Sequence, residues 1–262
     1  MQKYNMIITQ LFKKKISLFS VNLWLVISVL LLTITPVHAV KNDLKKLLPP
    51  LQIHPLPITL NQWQNSNNQG DYFEQIKPTL DGYLIWSEFP IKVYFDRPSN
   101  PDDTAAVTRR FNQWVTAVEQ AITEWNIYLS MIEVSDPNLA DIIIKRNDPP
   151  LDKNINPETG QLQIPRARTA QTRYEFYIKN KQLFHQMTIQ ISPRLGELSL
   201  LSAARHELGH ALGIWGHSLQ ETDALYFSQV GNPPPISPRD INTLKKIYEQ
   251  PTRLGWPLPS QS

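Results

Sequence analysis

The chain alternates apolar and polar residues over Ile91–Phe95, the period-two pattern of a half-buried strand. Further on, Val107, Phe111, Trp114, Val118, Ile122 and Trp125 recur at spacings of three and four. That stripe predicts a long amphipathic helix. Asn100 offers it an N-cap, Pro101 the first helical position, and Asp102 and Asp103 the acids of a first turn. Its two tryptophans are expected in the core rather than as a ligand platform. Short strands are predicted over 128–134, 141–145, 173–178 and 187–192, with a Pro-rich loop at 147–168. A helix is expected over 198–212 and a last one over 238–249. Ser237 can cap that last helix, Pro238 and Asp240 fit its first turn, and Ile241, Leu244, Ile247 and Tyr248 form its apolar face. The order strand, helix, strands, helix, loop, helix predicts an α+β domain with a mixed sheet.

The flanks are patterned differently. Residues 40–82 are rich in Asn, Gln and Pro and predict an irregular leader, either a pro-like segment or an extension hugging the surface. The body then runs over 83–250, and 251–262 form a C-terminal tail. Residues 1–22 contain four lysines and no acid, and residues 23–32 form an apolar run. Val37 and Ala39 supply the small residues that precede a signal cleavage site, so 1–39 are expected to be a secretory signal cut before Val40. An uncleaved anchor over 16–34 is the competing reading, weakened by Ser17, Ser20, Asn22 and Ser28. Either way the body is expected outside the cytoplasm: secreted, periplasmic or extracellular.

Composition narrows the chemistry. The 262 residues include 26 Lys+Arg and 23 Asp+Glu, a formal charge of +3. Four of those lysines lie in 1–39, which leaves 26 − 4 = 22 bases against 23 acids in the rest. A body near −1 gives no electrostatic reason to expect nucleic acid or anionic lipid as a partner. With no Cys, disulfides, thiolate nucleophiles and Cys-ligated metals are excluded.

One window carries chemistry: His206-Glu207-Leu208-Gly209-His210-Ala211-Leu212-Gly213-Ile214-Trp215-Gly216-His217. Residues four apart stack on one helix face, so His206 and His210 can present two imidazoles to one metal ion. Glu207, one step round the helix, can reach a water at that metal. Gly213 fits the left-handed residue that ends a helix, and after the reversal His217 can approach from another side. Three neutral imidazoles and an open position describe a catalytic zinc site, with Glu207 as general base and acid.

The window resembles the zinc signature of the metzincin peptidases and is most similar to that of the matrixin, or matrix-metalloprotease-like, branch. Pro90-Ile91-Lys92-Val93-Tyr94 is similar to the first strand of that family. Ala140-Asp141-Ile142-Ile143-Ile144 resembles the strand after its long helix, and residues 236–244 resemble the start of its C-terminal helix. The resemblance implies a five-stranded mixed sheet with two long helices, among them an active-site helix, and a small C-terminal subdomain ending in a helix below a substrate cleft. Two departures stand out. Three residues, not two, separate Gly213 from the third histidine, so Gly216 occupies the usual ligand place and His217 must serve after a one-residue bulge. No Met follows the motif; Leu225, in Ala224-Leu225-Tyr226, falls where the family places a methionine under the metal. Leu is close to Met in volume and apolarity, so the floor can survive.

Tyr226 is expected to pack in the core or turn, with help to an oxyanion as the other role. Arg205 is either an outer support of the site or a solvated helix residue; His54 and His185 lack partners at ligand spacing. Matrixins often bind structural calcium and a second zinc, and no matching loop occurs here. The expectation is an exported, monomeric zinc endopeptidase acting on protein or peptide, with no nucleic-acid partner and no membrane partner beyond the N-terminal signal. Its rival is a zinc-stabilised binding protein on the same fold that has lost catalysis.

Overall fold

A computed structural model of the chain describes residues 48–65, 68–151, 154–155, 162–163, 168–228 and 233–259. The expected signal over 1–39 and the first residues of the leader lie outside the described residues. Among the described residues no helix is long and apolar enough to cross a membrane.

In chain order the elements are α1 Ile58–Gln62, β1 Ile91–Phe95, α2 Ala106–Asn126, β2 Met131–Glu133, β3 Ile142–Lys145, β4 Asn154–Ile155, β5 Leu162–Gln163, β6 Ala170–Lys179, β7 Gln182–Ile191, α3 Glu197–Ala211 and α4 Pro238–Tyr248. Five strands form one mixed sheet in the order β2-β1-β3-β7-β6. β1 lies parallel to β2 and β3, β3 lies parallel to β7, and only the edge strand β6 runs antiparallel. Register is fixed by alternation: Ile91, Val93 and Phe95 point inward from β1, and Leu183, His185, Met187, Ile189 and Ile191 from β7. A two-residue turn, Asn180-Lys181, joins β6 to β7 with both residues at positive φ (50° and 62°), the geometry that matches the twist of a hairpin. β4 and β5 pair as a small ribbon inside the expected 147–168 loop.

α2 differs from its expected start. It begins at Ala106, and Asn100 does not cap it. The Asp103 carboxylate instead accepts from the Ala105 N–H (3.0 Å) and the Thr108 hydroxyl (3.2 Å), so residues 100–105 form a turn before the helix. Val107 in consequence lies 67% exposed, whereas Trp114, Val118 and Trp125 are buried in the core as expected. β2 is shorter than the expected 128–134, because the helix end rolls into a turn where the Tyr128 and Leu129 N–H groups donate to Trp125 O.

The leader is irregular, as its composition predicts, yet firmly packed. Leu60, Tyr72 and Ile76 are buried in the common core. The tail is equally engaged: Thr252 bridges to both Gln52 and Gly82, and Gly255 N donates to Leu183 O (2.7 Å). α2 packs on α3, and α3 lies beside β6 and β7, which sets the helix that carries His206 and His210 between core and edge strand.

Candidate metal centre

α3 buries Leu200, Ala204, Leu208 and Ala211 toward the core. Its end is a reversal in which Gly213 N donates to His210 O (3.1 Å) and Ile214 N to Gly209 O (3.0 Å). Gly213 has φ +128°, and a Cβ there would meet Leu84 O at 2.6 Å, so only glycine fits. The chain then turns back and delivers His217 to the pair on the helix. Ligand nitrogens of His206, His210 and His217 lie within 4.8 Å of one another, close enough to bind one metal ion. His206 Nε2 and His210 Nε2 are 3.1 Å apart.

Backbone carbonyls fix the tautomers. His206 Nδ1 lies 3.0 Å from Ala224 O and His210 Nδ1 lies 2.7 Å from Ile214 O. A carbonyl only accepts, so each Nδ1 carries its proton and each Nε2 presents a lone pair. Burial pulls both imidazoles down to about 4, which keeps them neutral, and it also lowers His217, the most exposed of the three. Two lone pairs at 3.1 Å repel unless a cation lies between them. Tetrahedral zinc with bonds of about 2.05 Å needs its nitrogens about 3.3 Å apart. The helix pair is near that spacing at 3.1 Å, and the whole set lies within 4.8 Å, so three neutral imidazoles could hold such an ion.

Glu207 is buried beside the triad, and burial raises its carboxyl. The Thr172 hydroxyl, from edge strand β6, donates to Glu207 Oε2 at 2.6 Å. Thr172 was not singled out by the sequence, because only strand pairing brings it to the helix.

The floor is built by two buried carboxylates. Asp240 accepts from Tyr72 Oη (2.6 Å), Ser237 N (2.8 Å) and Ala224 N (2.9 Å), and so holds the peptide whose carbonyl orients His206. Asp223 accepts from Ser237 Oγ (2.6 Å), Arg239 Nε (3.1 Å) and the Ser218 hydroxyl. Leu225 is fully buried against Gly209, where a Cβ would come within 2.5 Å of Leu225 Cδ2. The glycine inside the motif is thus required by close approach of the floor. Gly216 packs on the leader, since a Cβ there would meet Gln75 O at 2.5 Å. The extra residue before His217 is absorbed at this contact.

The remaining candidates separate cleanly. Tyr226 lines the cleft, with its ring against Phe227 and its N–H closing the turn onto Asp223 O. Arg205 is not a solvated residue: it makes a bidentate pair with Glu124 (2.6 and 2.8 Å) that ties α3 to α2, and it donates to the carbonyl of Pro234 (3.2 Å) in the cleft wall. His54 stacks on Trp256, and His185 is buried against Trp86, both away from the triad. The triad and Glu207 open on a cleft of about 1270 Å³, walled by β6 on one side and by leader residues 77–79 and the 223–228 turn elsewhere.

No protein-family model matches the chain, and no curated protein is similar enough to count as a relative.

Proposed function

We propose that this protein is an exported zinc endopeptidase of the metzincin type, with His206, His210 and His217 as metal ligands and Glu207 as general base and acid. Residues 1–39 act as the export signal in this reading, and 83–250 as the catalytic body. The observation that carries it is the meeting of three imidazoles, two of them held as Nε2 donors, with a buried carboxylate on the same helix turn. The fold supports it too, with the five-stranded mixed sheet and two long helices that the resemblance implies.

A zinc ion supplies Lewis acidity for the substrate carbonyl and brings the pKa of water toward neutral. The chain's own residues do the rest. Glu207 takes a proton from the attacking water and delivers it to the amine as the C–N bond breaks. Thr172 holds one carboxylate oxygen, and burial raises the carboxyl, the direction that favours a group which must later give up the proton it has accepted. β6 is the edge strand of the sheet among the described residues, and such an edge offers an extended peptide a strand to lie against.

Glu207→Gln should keep the metal and lower hydrolysis of an unfolded protein by several orders of magnitude, measured by metal analysis and a casein-type assay. Turnover unchanged in that variant contradicts the mechanism. Zinc without cleavage in the wild type favours the binding-protein reading instead.

A further inference from the structure

Only four Asp, Glu, Lys or Arg residues line the cleft among the described residues: Lys77, Arg168, Glu207 and Asp223. The two acids are withdrawn. Glu207 is buried behind Thr172, and Asp223 is fully buried and paired with Arg239. The two bases are exposed, and neither makes an ion pair with a described residue. Among the described residues the exposed fixed charge along the cleft is therefore positive, on a body whose formal charge balances near zero.

Their placement follows from the strand and the leader. β6 brings Thr172 to Glu207 and Tyr174 to Trp215 (ring centroids 5.1 Å), so it ascends alongside α3. Arg168, four residues before Thr172, lines the same cleft as Ser199 and Ser202 from the early turns of that helix, and its charge is felt by Glu207. Lys77 follows Ile76, which packs on Gly216 next to His217. The two cations thus come to the cleft from different segments, Arg168 from the stretch before β6 and Lys77 from the leader.

We propose that this cleft selects peptides carrying an acidic side chain, recognised by Arg168 and supported by Lys77. The proposal deepens the peptidase reading and rests on the same cleft. Exposed guanidinium–carboxylate pairs are modest and screened by salt, so they sort substrates rather than hold them.

The test uses zinc-loaded Glu207→Gln protein and three matched decapeptides that carry Glu, Gln or Lys at two positions flanking an apolar centre. The Glu peptide should bind about fivefold more tightly than the Gln peptide in low salt, and the Lys peptide more weakly than either. That preference should shrink at 0.5 M salt. Arg168→Gln should abolish most of the Glu-over-Gln discrimination, and Lys77→Gln part of it. Equal affinity for Glu and Gln peptides, no binding of any peptide, or an equal loss for both in Arg168→Gln overturns the proposal. Cleavage by the wild type is scored separately. Acid-selective binding without cleavage leaves this inference standing and removes the peptidase reading, whereas cleavage without acid preference does the reverse.

Discussion

Each helix imidazole is oriented from behind by a backbone carbonyl, and the two carbonyls have different sources. Ile214 O belongs to the reversal after α3, and Ala224 O to the turn held by Asp240. The window 206–217 let the meeting of two helix imidazoles be read directly, since spacing of four on a helix leaves little freedom. Thr172 could not be read, because its contact with Glu207 depends on the register of β6 against α3. Thr172→Val, nearly isosteric, should leave metal content unchanged and lower kcat about tenfold, the worth of one lost hydrogen bond to a carboxylate. An unchanged kcat would show that the hydroxyl does not position Glu207. Gly209→Ala should destabilise the fold by about 1–3 kcal/mol through overpacking against Leu225. Adding Leu225→Ala should recover part of that loss in a denaturant double-mutant cycle, and strict additivity would contradict the contact.

α4 was readable to its first residue because its start is written in local chemistry. Ser237 accepts from Asp240 N (3.1 Å) and Asp240 returns to Ser237 N, a reciprocal cap behind Pro238. All five sheet strands were also foreseen, with ends off by a few residues, since alternation marks a strand but not where its ladder stops. α2 failed at its start for an equally physical reason. Asn100-Pro101-Asp102-Asp103 has cap composition, but Asp103 spends its carboxylate on a turn. The Ser237 hydroxyl serves two masters, Asp240 N and Asp223. Ser237→Ala should therefore lower stability by about 1–3 kcal/mol, more than the roughly 0.5–2 kcal/mol of a cap alone, because a buried acceptor loses its donor as well. A loss below about 0.5 kcal/mol in urea unfolding would show that the cap is not coupled to the floor.

The whole body is closed by its two irregular ends, and composition could not foretell that. Tyr72 reaches Asp240, Gln75 touches Gly216, and Thr252 pairs with Gln52, all contacts between residues more than a hundred positions apart. The core also contains one imidazole unconnected with the metal centre. His185 is 2% exposed, and burial lowers it to about 3 from 6.5. The unfolded chain takes up this proton as pH falls through 6.5, whereas the folded chain does not until about 3. Its contribution to stability is thus full above 6.5 and declines steadily between those values, by up to about 1.4 kcal/mol per pH unit. His185→Phe, which preserves a ring against Trp86, should flatten that acid limb in urea unfolding between pH 6.5 and 4. Identical pH slopes for variant and wild type would contradict it.

The ligand set itself is tested most directly through His217, the residue displaced by one position from the usual spacing. Metal content and casein-type cleavage should be measured side by side for the purified protein and its His217→Ala variant. The account predicts about one zinc per wild-type chain with cleavage, and loss of both in the variant. A variant that keeps its zinc and cleaves, or a wild type that binds no zinc, would contradict it.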